Sequence, residues 1–352
     1  MNTSTKVLIV GAGAGGSVVG YYFAQGGAQV TFFVRPERVA QLQPPMALYS
    51  YDDAQLKQFS NYQLISDITE ISAQSFDYIL LSIDGTSLRA EANQALLAAI
   101  GQAAVASKSV VVSCAVGANI RDLVKQRTSL PDEQVICGTF NLLSHFVPMP
   151  SQVMHPDIDQ HKLSQARLGY RHIGNKGGLM IDKHTLAVSK KFAEAYNKNG
   201  FSRVKLLDAI SMVMVFNGIF AFYVACELAG WPPSSKMVQH KTLWPLAVKA
   251  THEIWRLPEF GFTGKFMSLL FGKSLWRKIW MAMDNNSWPL DHNGFNRLHH
   301  GGKVMEQNIT ILRHHLQTGK QLGKAMPNLS LLLNQVEAQR NNINSQKATS
   351  HT

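Results

Sequence analysis

Three glycines near the start of the chain have the spacing best suited to chemistry, a Gly-x-Gly-x-x-Gly pattern at Gly11, Gly13 and Gly16. In a strand–turn–helix unit, the first glycine permits a tight turn, the second lets the backbone approach a pyrophosphate, and the third allows close helix packing. The helix that follows would point unpaired N–H groups and its positive dipole end at the phosphates. The spacing therefore predicts a dinucleotide cradle formed by Gly11, Ala12, Gly13, Ala14, Gly15 and Gly16.

The residue after the second apolar run indicates which dinucleotide binds. Gln29 to Val34 is followed by Arg35, where an NAD site usually has an Asp or Glu that accepts from the ribose 2′-hydroxyl. A guanidinium suits a 2′-phosphate instead. Pro36 is expected to begin a helix that turns Glu37 away from the site. The sequence thus favours NADP as the cofactor, with NAD as the alternative.

Two further loops are expected beside the cofactor because each follows an apolar run. Asp84 comes after "DYILLSI", and Val116 with Gly117 comes after "SVVVSCA". The carboxyl ends of parallel strands form the crevice in which nucleotides bind. We therefore predict that Asp84, Val116 and Gly117 contact the nucleotide.

The segment "FNRLHHGGKVMEQNI", in the second half of the chain, is dense in polar groups. Its members His299, His300, Lys303 and Glu306 are candidates for a site, and a solvated turn and helix start is the alternative. Adjacent histidines on a helix point to different faces, so no metal site is predicted here.

The order of apolar runs indicates the elements that must position these residues. Strand-like runs alternate with helical stretches up to about residue 182, which predicts a mainly parallel sheet with helices on both faces. Two runs between Arg167 and Asp182 predict a terminal hairpin. From His184 onwards the pattern is helical. The chain is thus predicted to be an α/β protein with a sheet domain at residues 1–183, a helical substrate domain at 184–339 and a disordered polar tail at 340–352.

Composition narrows the class of protein. The 352 residues are 45% hydrophobic and 16% charged, with a net charge of +11, which favours an anionic partner such as a phosphorylated cofactor. The basic residues are dispersed and no zinc-finger spacing occurs, so no nucleic-acid partner is predicted. The three cysteines form no CxxC pair, and the first apolar run has only four residues. Both features predict a cytoplasmic protein with reduced core cysteines.

Two segments raise the question of a membrane. Residues 209–226 are uncharged over eighteen positions, but Asn217 interrupts them and charged residues flank them closely, so a buried helix is predicted and a membrane span is the alternative. Residues 264–283 mix aromatic with basic side chains. A helix that covers core is predicted there, and a helix on a membrane surface is the alternative. No membrane association is expected, and homodimer formation is left open.

The opening "VLIVGAGAGGSVVGYYFAQGGAQVTFFVRPERVAQL", including Arg35, resembles the ketopantoate reductase (2-dehydropantoate 2-reductase) family. "FDYILLSID", "VICGTFNLL" with "SQVMHP", and "AMPNLSLLLNQV" resemble later segments of that family. Its members join a Rossmann-type N-terminal domain to a helical C-terminal domain and reduce a 2-keto acid with NADPH. The resemblance implies an NADPH-dependent oxidoreductase that acts on a 2-keto acid or a related small-molecule carbonyl compound.

The chain departs from the family at positions that carry its chemistry. Asp84 replaces a usual lysine, and Val116-Gly117 replaces an Asn-Gly pair beside the nicotinamide. The catalytic lysine of the family lies on the first long helix of the second domain, but no lysine occurs between Leu206 and Ser235. In the family an asparagine follows that lysine by one turn. By resemblance, Asn217 can stand for that asparagine or for a neighbouring polar position, and Glu306, with a one-residue misfit, for the substrate-binding glutamate.

The missing lysine leaves the proton donor open. Hydride delivery puts negative charge on the carbonyl oxygen, which a positioned donor must stabilise and protonate. Lys303 or His299 could supply that donor. The alternative is a non-catalytic NADPH-binding sensor or scaffold protein.

Overall fold

The computed structural model describes residues 4–117, 119–149, 155, 158–174 and 176–349, without the side chains of residues 209–216, 303 and 343–349. The strands are β1 Lys6–Val10, β2 Gln29–Phe33, β3 Met46–Ser50, β4 Gln55–Phe59, β5 Tyr62–Ile65, β6 Tyr78–Leu81, β7 Val110–Ser113, β8 Val135–Phe140, β9 Leu142–Phe146, β10 Leu168–His172, β11 Gly177–Asp182 and β12 Arg203–Leu207. The helices of the first part are α1 Ala14–Gln25, α2 Thr69–Ser72, α3 Gly85–Arg89, α4 Gln94–Ser107, α5 Ile120–Thr128, α6 Gln160–Ser164 and α7 Leu186–Asn197. Those of the second are α8 Ala209–Leu228, α9 Ser234–Met237, α10 Leu243–Trp255, α11 Gly261–Leu270, α12 Lys273–Ser287, α13 His292–Asn296, α14 Met305–Gln321 and α15 Pro327–Thr349.

The main sheet has eight strands in the order β12-β11-β8-β7-β6-β1-β2-β5. Its pairs are parallel except β11 with β8. Successive side chains of β1 enter two different cores, Val7 and Ile9 on one face and Leu8 and Val10 on the other. Helices α1 and α7 pack on the first face, and α4 and α5 on the second. The predicted mainly parallel sheet, covered on both faces, is confirmed.

A second, four-stranded sheet, β4-β3-β10-β9, is also present. The predicted terminal hairpin of β10 and β11 is wrong, because β10 pairs with β9 and β3 while β11 pairs with β8 and β12. Among the described residues, a single bridge, Ile173 to Gly177, joins the two runs. Between them the backbone has positive φ at Gly174 and Lys176, which redirects the chain from one sheet to the other.

The chain divides into two compact units, one of residues 1–150 with 156–209 and one of residues 151–155 with 210–352. The boundary therefore lies near residue 209 and not at 183/184, where the sequence pattern placed it. Strand β12 pairs along its length with β11, and Phe192 and Tyr196 of α7 are buried in the core of the first unit. The helical pattern after His184 thus begins within the sheet unit.

The second unit is helical, as predicted. In α8 the residues from Ile219 to Cys226 are buried, and Phe222 lies among the rings of Trp244, Trp276 and Trp280. Among the described residues, no helix combines the length and apolar character needed to cross a membrane. The described part of α8 is therefore a core helix, in agreement with the sequence analysis.

The disordered tail predicted for residues 340–352 is wrong over most of its length, because α15 continues to Thr349. The segment from Asn341 to Thr349 contains no proline or glycine, so nothing in it interrupts a helix that has already begun. Residues 350–352 lie outside the described part of the chain.

Candidate functional site

The glycine turn has the geometry that its spacing predicts. Gly11 has φ of +97° and donates its N–H to Phe33 O at 2.9 Å, so the turn joins the ends of β1 and β2. A Cβ at Gly16 would lie 2.5 Å from Ser82 Oγ and 2.9 Å from Gly11 O. The first glycine therefore serves the turn, and the third allows close packing of helix and strand.

Gly13 differs from Gly11 and Gly16 because the fold does not require a glycine at this position. It is exposed, with φ of −69° and ψ of 172°, a conformation open to any residue. A Cβ there would meet no atom of the described residues within 4 Å. That Cβ would enter open space, so its absence at Gly13 leaves room for a pyrophosphate to approach the backbone. The cradle therefore fits the predicted dinucleotide.

The start of α1 also suits an anion. No side chain caps the helix, and its first turn contains no acidic residue. The first intrahelical bond of this end runs from Ser17 N to Gly13 O. The N–H groups of Ala14, Gly15 and Gly16 precede that bond, so they remain available to phosphate oxygens.

Ser82 is a positioning residue that the sequence analysis did not identify. Its hydroxyl lies 2.9 Å from Val10 O and 2.7 Å from Gly11 O, so it ties the end of β6 to the glycine turn. The available signal was a small polar residue directly after a buried strand. Its meaning depends on β6 lying beside β1, which only the sheet order reveals.

The glycine turn lies at the switch point of the sheet. From β1 the chain proceeds through β2 and β5 on one side and through β6, β7 and β8 on the other. The loops after β1 and β6 diverge there, and this is where open α/β sheets bind nucleotides. A separate cleft of about 570 Å³, lined by Lys6, Gln29 and Tyr62 among others, includes the first residues of three strands and so belongs to the opposite edge.

Arg35 follows β2 as predicted, but Glu37 does not turn away from it. Pro36 begins a short 3₁₀ helix, Pro36–Arg38, and Arg35 Nε lies 3.2 Å from Glu37 Oε1. Both side chains are exposed, so this ion pair contributes little stability. The tight 3₁₀ turn returns the carboxylate to the guanidinium.

Arg38, three residues after Arg35, adds positive charge, and Arg167 lies close enough to interact with it. The Nε atoms of Arg38 and Arg167 are buried and have no hydrogen-bond partner among the described residues. Burial, and secondarily the charge of Arg38, lower the pKa of Arg167. Positive charge is therefore concentrated in this region, and this favours the binding of an anion.

Asp84, another predicted cofactor residue, has a structural role. Asp84 is the N-cap of α3, where its Oδ1 accepts from Ser87 N at 2.8 Å. A Cβ at Gly85 would lie 2.8 Å from Val116 O, so the loops after β6 and β7 are in contact. Val116 and Gly117 thus lie at the expected edge of the sheet, and cofactor contact by Asp84, Val116 and Gly117 stays a prediction.

In the second unit, Asn217 lies on α8 and is buried, with 3% of its surface exposed. The next residue, Gly218, accepts a hydrogen bond from Thr251 Oγ1 at 2.9 Å, so α8 and α10 approach closely here. Asn217 and Phe220 share one face of α8. The ring of Phe220 is 6.2 Å from that of His300. Asn217 therefore lies one helical turn from a residue that contacts the histidine segment.

His300 is the most unusual polar group of this unit. It lies in a π-helical segment, Arg297–Lys303, a rare geometry found often at functional sites. Its ring stacks on Tyr223 at 3.9 Å, and His299 contacts it edge-on. Asn308 Nδ2 lies 3.2 Å from His300 Nδ1, an arrangement in which the amide donates and the neutral ring carries its proton on Nε2.

Desolvation holds the pKa of His300 well below its usual value, and burial raises the pKa of Tyr223. His300 is therefore a neutral imidazole at physiological pH. Its Nε2–H is suited to polarising a carbonyl oxygen rather than to acting as a strong acid.

The other candidates of this segment are not brought together with Asn217. Glu306 is exposed in the first turn of α14 and binds Arg340 NH2 at 2.6 Å. No hydrogen bond or ion pair joins Glu306 to Asn217 within the described part of the chain. The side chain of Lys303 lies outside the described residues. The roles of Asn217, Lys303 and Glu306 therefore stay predictions.

The cysteines are not candidates for nucleophilic chemistry. Burial raises the pKa of Cys137 to about 12 and also raises the pKa values of Cys114 and Cys226. All three are free thiols. Because the thiolate is the reactive form, we expect these side chains to be inert.

A serine–histidine–aspartate arrangement occurs in the first unit but is inaccessible. Asp52 Oδ2 lies 2.6 Å from His172 Nδ1, and His172 Nε2 lies 2.9 Å from Ser202 Oγ. Ser202 is fully buried and also contacts Tyr196 OH at 2.8 Å. No acyl group can reach this hydroxyl, so the network connects the second sheet to α7 and is not a hydrolytic site.

The substitution Ser202→Ala tests this interpretation. We expect a loss of roughly 1–3 kcal/mol in the free energy of unfolding, because two buried hydrogen-bonding groups lose their partner. Denaturant unfolding measures the loss, and Ser164→Ala, at an exposed hydroxyl, serves as the control. Hydrolysis of a small activated ester that depends on Ser202 would contradict the structural role.

The first unit is thus a Rossmann-type fold, and residues 7–167 match the sequence model of the family described as ketopantoate reductase PanE/ApbA. This match agrees with the family resemblance found in the sequence. No protein of curated function matches the sequence.

Solved structures share the fold over nearly the whole chain. A PanE/ApbA family ketopantoate reductase from Ralstonia eutropha JMP134 has a TM-score of 0.65 and 17% identity, covering 95% of this chain and 98% of that one. A 2-dehydropantoate 2-reductase from Geobacter metallireducens GS-15 has a TM-score of 0.67 and 16% identity, covering 95% and 99%. D-mandelate dehydrogenase, solved with NADH and anilino(oxo)acetate, has a TM-score of 0.65 and 16% identity, covering 97% and 100%.

Proposed function

We propose that this protein is an NADPH-dependent reductase of a 2-keto acid or a related carbonyl compound. The observation that carries the proposal is the glycine turn at the switch point of the sheet, where a Cβ at Gly13 would meet no described protein atom within 4 Å. The family match over residues 7–167 supports the reaction class. The D-mandelate dehydrogenase of similar fold was solved with NADH and anilino(oxo)acetate.

When bound, the cofactor supplies the hydride. The residues of this chain bind the cofactor, position the substrate and donate the proton. The N–H groups at the start of α1 bind the pyrophosphate, and Arg35 binds the 2′-phosphate. We assign substrate positioning to Asn217 and binding of the substrate's polar end to Glu306. Glu306 must exchange its contact with Arg340 for one with the substrate. Lys303 is the proposed donor to the developing alkoxide, because the family's lysine has no counterpart on α8.

The preference for NADPH is the first test of the cofactor site. We expect Arg35→Ala to reduce the ratio of NADH to NADPH dissociation constants about tenfold or more, because a charge-assisted pair contributes roughly 1.5–3 kcal/mol. Glu37→Gln should strengthen NADPH binding by a factor of about 2–5, because a surface ion pair that competes for Arg35 is removed. Fluorescence titration with both cofactors measures these ratios.

Arg313→Ala is the matched control, since Arg313 forms a similar exposed ion pair with Glu337 on the helical unit. It should leave both dissociation constants unchanged. Equal affinity of the native protein for the two cofactors would contradict the assignment of Arg35.

The second candidate function is a non-catalytic NADPH-binding sensor or scaffold. The capping role of Asp84, the apolar side chain at Val116 and the absence of lysine from Leu206 to Ser235 favour it. Stoichiometric NADPH binding without NADPH oxidation, over a panel of 2-keto acids, would support the sensor and exclude the reductase.

A further inference from the structure

Helix α11 carries its large apolar side chains on the outside. Its buried residues are Gly264 and Ser268, whereas Phe262 is 80% and Leu269 76% exposed. A Cβ at Gly264 would lie 2.1 Å from Trp255 O, so the small residues are what allow α11 to pack on α10. This is the reverse of an ordinary amphipathic helix, whose apolar face covers the core.

Five exposed side chains lie close together in the sequence, four on α11 and one at the start of α12, and we call them the α11 patch: Phe262, Phe266, Leu269, Leu270 and Leu275. Five of the twelve exposed large hydrophobic residues of the described chain lie in these fourteen positions. The spacing of 262, 266 and 269 places them on one face, and the rings of Phe262 and Phe266 stack at 6.0 Å. Single exposed apolar residues are ordinary, but a contiguous group indicates a contact surface.

The sequence analysis predicted that residues 264–283 cover core, which holds for α12 but is wrong for α11. Trp276 and Trp280 of α12 are buried, and they provide the core that the aromatic composition suggested. The apolar residues of α11 remain exposed, because Gly264 and Ser268 occupy its inward face.

The charged residues of the segment that carries the α11 patch, Phe260 to Met283, are all basic. Lys265, Lys273, Arg277 and Lys278 are exposed, and no acidic residue occurs from Phe260 to Met283. The nearest carboxylate before the patch, Glu259, faces His315. Apolar side chains surrounded by lysine and arginine match the interface of an anionic membrane, where rings enter the headgroup region and cations meet lipid phosphates.

A second copy of this chain matches the patch less well. In a two-fold dimer the same surface appears on both sides, so four cations would face four others. The net charge of +11 adds to that repulsion and to the attraction towards an anionic surface.

We propose that the α11 patch binds the surface of anionic lipid membranes. Phe262 and Phe266 insert at the headgroup level, and the surrounding lysines and arginine bind lipid phosphates. The protein is then peripheral to the membrane, and no segment needs to span it. This site is independent of the cofactor site, because α11 belongs to the helical unit.

Vesicle co-sedimentation of the full chain tests the proposal. We expect binding to vesicles of phosphatidylcholine with about one third phosphatidylserine, little binding to pure phosphatidylcholine, and release in high salt. The double variant Phe262→Ser/Phe266→Ser should lower the partition coefficient tenfold or more. The reason is that each inserted methylene equivalent contributes roughly 0.8 kcal/mol to membrane binding, and two aromatic rings are lost. Lys273→Glu/Lys278→Glu should lower it about 25-fold or more, because each basic residue near the surface contributes roughly fivefold.

Matched variants at other exposed positions provide the controls. Val105→Ser/Leu331→Ser removes two exposed apolar side chains on α4 and α15, and Lys190→Glu/Lys191→Glu reverses two charges on α7. Both should bind like the native chain, and thermal unfolding should show that all four variants are folded. Absence of binding to anionic vesicles, or binding unchanged in the two patch variants, would overturn the proposal. A dimer in sedimentation velocity that dissociates in Phe262→Ser/Phe266→Ser would also overturn it and make the patch a subunit interface.

Discussion

Replacing Gly13 with valine is expected to weaken NADPH binding about 100-fold or more and to change the free energy of unfolding by less than about 1 kcal/mol. The backbone at Gly13 accepts any residue, and a side chain there meets no described protein atom within 4 Å. The isopropyl group would instead displace the pyrophosphate from at least two N–H groups, each worth roughly 1.5–3 kcal/mol towards a charged ligand. Isothermal titration and denaturant unfolding measure the two effects separately.

Gly272 offers a control with nearly the same local geometry. It is the N-cap of α12 with φ of −68° and ψ of 175°, and a Cβ there also meets no described atom within 4 Å. Gly272→Val should therefore leave NADPH affinity unchanged. Undiminished NADPH binding by Gly13→Val would show that the glycine turn is not the cofactor cradle.

Gly16→Ala should behave differently, because its Cβ would approach Ser82 Oγ to 2.5 Å. Overpacking of this kind costs roughly 1–3 kcal/mol, so this variant should lose stability as well as cofactor affinity. The contrast between the two glycines distinguishes a residue required by the fold from one required by the ligand.

The reduction of ketopantoate itself is expected to be slow, by a factor of about 10²–10⁴ relative to an ordinary enzyme with kcat of roughly 1–10³ s⁻¹. The physical reason is the missing donor. Val116 offers no side-chain hydrogen bond where the family has asparagine, and α8 offers no lysine near Asn217. Both losses act on one carbonyl oxygen, so their effects need not multiply. Steady-state oxidation of NADPH with ketopantoate and a panel of 2-keto acids measures the difference.

Three substitutions sharpen this test. Val116→Asn should raise ketopantoate turnover, because it restores a donor at the sheet edge. Asn217→Ala and Lys303→Ala should lower turnover of the best 2-keto acid without changing the dissociation constant of NADPH. A ketopantoate kcat in the ordinary range would show that the donor is already present, and full activity of Lys303→Ala would exclude Lys303 from that role.

Local sequence determined the parts of this protein that depend on local geometry. A tight turn, a close approach to phosphate and a helix packed on a strand each need glycine at a fixed spacing, so Gly11, Gly13 and Gly16 could be interpreted without a structure. Alternating apolar runs and helices likewise indicated the parallel sheet. The helical pattern of the second half and the buried character of α8 followed from periodicity and flanking charge.

Pairing between distant segments was decided only by the tertiary structure. The four-stranded sheet joins β3, β4, β9 and β10 across more than a hundred residues, and no local pattern states which strand lies beside which. The same applies to Ser82, whose contact with the glycine turn exists because β6 lies next to β1. The boundary between the two units also depends on such pairing. Strand β12 pairs with β11 at one edge of the main sheet, so the first unit extends to about residue 209.

Composition also could not predict the direction in which side chains point. The aromatic and basic residues of 264–283 predict one amphipathic helix, yet α12 turns its tryptophans inward while α11 turns its phenylalanines outward. The inward face of α11 carries Gly264 and Ser268, and at Gly264 the backbone of Trp255 leaves no room for a larger residue. Hydrophobicity determines that a side chain prefers burial, but the space that neighbouring elements leave determines which side chains obtain it.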